Sequence, residues 1–319
     1  MKKVMLKTTL SLAVTLASSH IFASGFALNE QSISGMGTGF AGRSSSAEDA
    51  STVFGNPAGM SRIKREQVTG GVAAIDASTD IKHASGGAPG GTNKGDMVPF
   101  TAVPMGFYVK PIDEHWAFGV GLYAPFGLVT DYESSFAGRY AGKESKVQVI
   151  TFQPTVSYAF NDVVSIGFGP TINRIDGTLT SATPGPRGPA SDGEVKIKGD
   201  DTALGFNAGI LVQATDRTRL GLTYHSKVKY SLDGNTKISG IGFGPFNGTK
   251  YDAGLDITTP ESVDFSVTHE LNDQWTIYAG STWTRWSRLK DITVENNGVP
   301  PALGGSVGPI GTIKEDQNW

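Results

Sequence analysis

Two short patterns in this chain have the spacing of catalytic or cofactor motifs. Gly304-Gly305-Ser306-Val307-Gly308 has the G-x-S-x-G spacing that raises a serine nucleophile on a tight turn. Gly37-Thr38-Gly39-Phe40-Ala41-Gly42 has the G-x-G-x-x-G spacing whose glycines let a backbone close on a pyrophosphate. Each needs a context. The serine needs a strand before it and a helix after it, yet it sits between Pro301 and Pro309 in a long loop. The glycines need a preceding strand, and polar Asn29 to Ser34 stand there instead; with 42 glycines in the chain such spacings arise easily by chance. The five histidines (20, 83, 115, 225, 269) never pair at metal-ligand spacing. Without cysteine there is no thiol catalysis, disulfide or cysteine-based zinc site. A net charge of −3 gives no electrostatic footprint for nucleic acid. No catalytic residue, metal or cofactor is expected. An enzyme survives only as an alternative, an outer-membrane esterase or lipase using Ser306 with His and Asp partners.

The remaining chemistry is partition between oil and water, and the elements are built for it. Nine segments alternate apolar with small or polar residues at a period of two, near 67–82, 98–110, 115–126, 146–160, 163–178, 196–214, 218–231, 252–271 and 274–290. From Ile150 to Phe160 the even positions are Ile, Phe, Pro, Val, Tyr and Phe, and the odd ones are Thr, Gln, Thr, Ser and Ala. In the next clear case Leu220, Leu222, Tyr224, Val228 and Tyr230 fall on one face, with Ser226 the exception, and Gly221, Thr223, His225, Lys227 and Lys229 on the other. Successive strand side chains face opposite sides. A β-barrel with lipid outside and none inside asks for this pattern. Charged residues are 18% of the chain, below the usual quarter.

The connections alternate short and long. Pro111–Glu114, Asn161-Asp162, Asp216-Arg217 and Asn272-Asp273 are short, whereas 83–97, 127–145, 179–195, 232–251 and 291–311 are long. Short turns on one side and long loops on the other are an outer-membrane arrangement. Tyr108, Trp116, Tyr158, Phe160 and Trp275 lie near short turns and read as a periplasmic aromatic girdle; core aromatics of a soluble β-sandwich are the competing reading. Residues 1–23 read as a secretory signal, with Lys2, Lys3 and Lys7 before the apolar run Leu10 to Ala17 and Ala23 at the cleavage site. Residues 24–62, rich in Gly, Ser and Ala, break the strand pattern and read either as a plug in the lumen or as a disordered tail. The barrel is expected over 63–319, with a tenth strand starting near Thr312. An unpaired edge is unfavourable in lipid, so the sequence is expected to be incomplete at its C-terminus.

The residues resemble the FadL-type outer-membrane channels for long-chain fatty acids and other hydrophobic compounds, TodX-like relatives included. The resemblance rests on Gly25-Phe26-Ala27-Leu28, Phe54-Gly55-Asn56-Pro57-Ala58-Gly59-Met60, Tyr123-Ala124-Pro125-Phe126-Gly127-Leu128, Gly138-Arg139-Tyr140, Asn207-Ala208-Gly209, Leu220-Gly221-Leu222-Thr223-Tyr224, Pro260-Glu261 and Trp286-Ser287. It implies an all-β fold: a transmembrane antiparallel β-barrel, 14-stranded in the family, with an N-terminal hatch over 24–62 carrying Asn56, Pro57 and Ala58 and roughly the last five strands absent. It also implies capture of an amphipathic ligand above the hatch and sideways exit at a third-strand kink. The local rationale is that Pro125 lacks an N–H and Gly127 follows, so Pro125, Phe126 and Gly127 can bend the strand. Alternatively, Pro125 simply ends it. Candidate lining residues are Phe26, Leu28, Ile33, Phe40, Val53, Phe54 and Met60, with plain packing against the wall as the competing role. Arg139, Arg174 and Lys314 are candidate carboxylate partners, and Lys314 lies where the family places a basic residue. Long-chain fatty acids lead monoaromatic hydrocarbons such as toluene as ligands, and a structural or adhesive barrel is a third reading. The expected partners are a hydrophobic small molecule and outer-membrane lipid, with no nucleic acid, for a monomeric barrel.

Overall fold

Alternating faces make strands, and side-chain-capped turns fold them back on one another. The computed structural model describes residues 26–79, 81, 88, 90–289, 291–300, 303 and 313–314. The expected signal over 1–23, His83 and Ser306 lie outside the described residues. The strands are β1 (Gln67–Ile75), β2 (Thr101–Pro111), β3 (Trp116–Asp131), β4 (Glu144–Ala159), β5 (Val164–Thr183), β6 (Gly193–Thr215), β7 (Thr218–His225), β8 (Val228–Ser239), β9 (Lys250–Thr259), β10 (Ser262–Asn272) and β11 (Trp275–Thr284). They form one curled antiparallel sheet in which sequence neighbours pair from β1 to β7, β8 pairs with β6 and β9, and β10 pairs with β7 and β11. Asp113, Asn161 and Asn272 each accept two backbone N–H groups at a short turn, as turn-forming Asx side chains do.

The convex face is apolar. Phe118, Leu122, Phe152, Val156, Ile166, Phe168, Phe206, Ile210, Leu222 and Phe265 are exposed on it. The concave face of the same strands is Gly, Ser, Thr, Asn and Gln, and most of those polar side chains are buried. That inversion of a water-soluble sheet suits hydrocarbon outside. Tyr158 meets Trp116 and Phe160 at 4.8 and 5.1 Å near the short turns.

Three wall strands change face part-way. β7 and β8 are two halves of one wall strand, and β9 and β10 are halves of the next. His225↔Ser262 and Val228↔Thr259 are consecutive rungs around Pro260, which has no N–H to donate. Leu222 is exposed below this break, yet Val228, Tyr230 and Leu232 above it are buried. The expectation that Val228 and Tyr230 share the face of Leu220, Leu222 and Tyr224 is therefore corrected: crossing 226–227 moves the apolar set inside and puts Lys229 outside, where it faces Asp256 at 3.8 Å. A one-residue change of phase turns every following side chain over. β3 does the same, because its register to β4 shifts between Tyr123 and Phe126. The last strand, expected to run to 290, stops at Thr284 and gives way to a 3₁₀ turn, Trp286–Arg288.

Residues 26–62 lie against the concave face. Short helices at Ile33–Met36 and Thr52–Gly55 and a 3₁₀ turn at Pro57–Arg62 form there. Their backbone is fastened by wall side chains: Gln153 Nε2 donates to Val53 O (2.8 Å), Thr223 Oγ1 to Gly55 O (2.8 Å) and Ser165 Oγ to Ala58 O (3.0 Å). Ser44 and Ser45 reach Asp264, Ser266 and Thr268 of β10. Each of these bonds satisfies a buried polar group that would otherwise destabilise the fold.

Candidate functional site

Asn56 holds the inner segment together. Its Oδ1 accepts from Ala58 N (3.0 Å), capping the turn that Pro57 begins, while its Nδ2 donates to Ser44 O (2.6 Å) and to Ile210 O of β6 (3.0 Å). The wall makes room with glycine. A Cβ on Gly209 would collide with the Asn56 amide, and one on Gly221 with the Ser44 backbone. A second tie runs along β3. Leu28 N donates to Pro125 O (2.8 Å), and Gly127 N donates to Phe26 O (2.9 Å). β2 pairs with β3 only from Gly106↔Leu122 to Pro111↔Ala117. Past that point, residues 26–28 take the neighbouring place along β3, with Ala27 bridging Phe126.

Two adjoining cavities sit above the inner segment. The smaller, about 260 Å³, is apolar; its wall includes Phe26, Leu128, Val147, Ile175, Leu232 and Trp286. The larger, about 660 Å³, shares Trp286 and adds Leu28, Phe54 and Phe126, but also Arg43, His225 and Arg285. Leu128, Phe126 and Leu232 reach these cavities because of the changes of face described above. Phe26 stands between the two, with Phe126 at 5.3 Å and Trp286 at 5.5 Å. Under the larger cavity Tyr123 OH and Asn207 Nδ2 both donate to Gln153 Oε1, at 2.5 and 2.6 Å.

Arg43 is the notable charge. Its Nη2 donates to Asn29 O (3.4 Å) and Oδ1 (3.1 Å), and its guanidinium lies over the rings of Phe40 (5.2 Å) and Phe54 (5.7 Å). Among the described residues no carboxylate pairs with it within 4.0 Å. The nearby Asp264 carboxylate accepts from Ser44 and Thr282 instead. Arg285 also reaches the larger cavity, held loosely to Glu261 at 3.4 Å, while Arg288 holds that carboxylate closely at 2.9 Å.

The sequence-predicted residues divide. Phe26, Leu28 and Phe54 line the cavities with Pro125 and Phe126. Val53 and Met60 are fully buried against β2 and β3 and face neither cavity. Ile33 and Phe40 stand away from both, Ile33 against Gly71 and Phe40 in a smaller crevice with Arg43. Arg174 is a correction. It follows Ile172 on the convex face of β5, is half exposed, and pairs with Asp200 at 2.9 Å and Asp176 at 3.5 Å. Arg139 lies in the loop after β3 and pairs with Asp192 at 2.8 Å, again away from both cavities. Burial would raise the Asp192 carboxyl, but bonds from Arg139, the Gly185 N–H and Tyr140 outweigh it and hold the group below its ordinary value. The backbone of Lys314 pairs with Asp291; its side chain is outside the described set. The glycine-rich 37–42 stretch follows a helical turn and no strand. Sequence reasoning missed Arg43, a lone cation in a small-residue segment with no spacing to flag it, and Arg285, which stands between two tryptophans at the end of a strand.

The comparisons with known proteins agree with this architecture. A family model described as "Outer membrane protein transport protein (OMPP1/FadL/TodX)" matches residues 14–319. The long-chain fatty acid transport protein of Escherichia coli O6:H1 is 29% identical, over 93% of this chain and 73% of the relative. The crystal structure of a Pseudomonas aeruginosa FadL homologue superposes with a TM-score of 0.70 at 24% identity, covering 86% of this chain and 73% of that one. The Pseudomonas putida toluene transporter TodX gives 0.55 at 20% identity, covering 79% and 70%. At those identities the structural matches show a shared fold.

Proposed function

We propose, for a chain that belongs to the outer membrane protein transport family (OMPP1/FadL/TodX), passive uptake of long-chain fatty acids or similar hydrophobic compounds. Location in the outer membrane and transport of hydrophobic compounds come with the family, whose members compared above are transport proteins and not enzymes. In this reading residues 24–62 are a hatch in the lumen of a monomeric barrel. A ligand collects in the cavities above the hatch and leaves sideways at Pro125, Phe126 and Gly127.

One observation carries the proposal: an apolar cavity adjoins a larger one that holds the Arg43 guanidinium, with which no carboxylate among the described residues pairs. An acyl tail gains roughly 0.8 kcal/mol per buried CH₂, so the apolar wall can supply affinity without polar contacts. The carboxylate then needs a single cation in a site shielded from bulk water. Arg43 takes that role in place of Arg139 and Arg174, each of which pairs closely with a carboxylate, and Arg285, which Glu261 holds at 3.4 Å, is the second candidate. The exit at β3 is supported by the register shift between Tyr123 and Phe126 and by residues 26–28, a short strip that can leave β3 more easily than a full strand.

The test is growth of a strain lacking its own hydrophobic-compound channels, complemented with the complete gene, on oleate and on toluene. Growth on oleate, reduced by Arg43→Gln, is expected. Growth on toluene alone, indifferent to Arg43→Gln, would transfer the reading to monoaromatic hydrocarbons.

A further inference from the structure

The wall has a second interruption, between β6 and the strand made of β7 and β8. Rungs run from Glu194↔Ser239 to Asp200↔Asp233 against β8, and they resume only at Asn207↔His225 against β7. Residues 201–206 thus face 226–232 without a rung and with a one-residue slip. Both margins are otherwise intact: β6 stays paired to β5 throughout, and β8 stays paired to β9.

One backbone bond and two side-chain bonds stand in for the missing ladder. At one end Ser226 N donates to Phe206 O (2.9 Å), and Ser226 Oγ accepts from Phe206 N (2.8 Å). At the other end Asp201 Oδ2 accepts from Ser231 N (2.8 Å). Between them the seam is closed by packing: a Cβ on Gly205 would lie 2.8 Å from Val228 Cγ2. The two sides of the seam differ in what they meet. Leu204 and Phe206 are 75% and 39% exposed on the lipid face. Thr171, Asn173, Asn207, Val228 and Tyr230, on the inner side, line the larger cavity.

We propose that this seam is a second lateral port, through which a ligand with a long apolar part passes between the larger cavity and the hydrocarbon of the membrane. A continuous ladder resists parting because each broken rung leaves two backbone groups unsatisfied in lipid. Here the rungs are already reduced to one backbone bond, Ser226 N to Phe206 O, and two side-chain fastenings. Rotation of the Ser226 and Val228 side chains, with loss of the single Ser226 N to Phe206 O backbone bond, opens the seam while the β5–β6 and β8–β9 ladders stay whole. An apolar chain crosses between Leu204, Phe206 and Val228, while the head group stays with the cation of the larger cavity. The port rests on the uptake reading above.

The absence of cysteine allows a clean test in the full chain. The double substitution Phe206→Cys, Ser226→Cys fastens the seam by a disulfide, and Ala27→Cys, Phe126→Cys fastens the β3 strip. Uptake of labelled oleate is expected to fall several-fold when the first pair is oxidised and to recover on reduction. Oxidising both pairs in one chain should abolish it. Full-rate uptake with the first pair completely cross-linked would overturn the port. A second measurement needs no transport: Val228→Cys in proteoliposomes, exposed to a bilayer-soluble maleimide. Reaction well above that of the buried control Val149→Cys is expected, and equal reaction of the two would overturn the port. An unmodified chain that takes up no oleate would instead overturn the uptake reading, with the labelling result still deciding the port.

Discussion

Asn56 illustrates how much one side chain decides. Its buried amide caps a turn, ties the inner segment to itself and donates to the wall, the last of these bonds being part-buried. Asn56→Ala leaves Ser44 O and Ile210 O without this donor, a loss of about 1–3 kcal/mol for each buried group that finds no substitute. Gly221→Ala should act on the same joint from the wall side, because its methyl would enter the Ser44 backbone; overpacking of this kind destabilises by about 1–3 kcal/mol. Both variants are expected to release residues 24–62 to protease at a temperature where the barrel itself stays folded. Equal protection of the variants and the unmodified protein would contradict the assignment of Asn56 as the fastening. At this scale the sequence was legible where a motif has a local mechanism, as in Asn56-Pro57-Ala58. It was misleading for Arg174, where residue type suggested a ligand contact but strand phase sends the side chain outward.

Among the elements, β3 and the β7–β8 strand share a device. Each loses its regular register, changes face, and thereby delivers apolar side chains to the cavities: Phe126 and Leu128 from one, Val228, Tyr230 and Leu232 from the other. Pro125 and Gly127 are the residues that excuse β3 from its ladder. Replacing both with Val and Thr should restore strand geometry there, turn Phe126 and Leu128 away from the lumen and sharply lower oleate uptake. The barrel should still assemble, seen as unchanged heat-modifiable migration in detergent. Undiminished uptake would remove β3 from the route. The strands themselves were legible from period-two alternation, but the faces were not legible past 226. The signals at that point were Ser226 in an apolar register and Pro260 on the facing strand, between the rungs His225↔Ser262 and Val228↔Thr259. Neither states which way the chain resumes, since that depends on pairing with β6 and β9.

For the whole molecule, the inner segment is bonded to β3, β4, β5, β6, β7 and β10 and so spans the concave face. On the uptake reading proposed above, a segment placed in this way excludes water and ions while apolar ligands cross by another path. Excision of residues 24–62 from the mature protein should therefore raise single-channel conductance in planar bilayers well above that of the intact protein. Equal conductance would mean that the segment does not obstruct the lumen. The sequence by itself determined the class of solvent, the order of the wall strands and the side on which short turns lie. Those properties are written in nearest-neighbour alternation and in Asx turns, which are local. Tertiary structure alone decided the two cavities, the placing of Arg43 without a paired carboxylate among the described residues, and the unladdered seam between β6 and β8. They arise where strands distant in sequence meet out of phase, and no local pattern encodes the phase at which two such strands will pair.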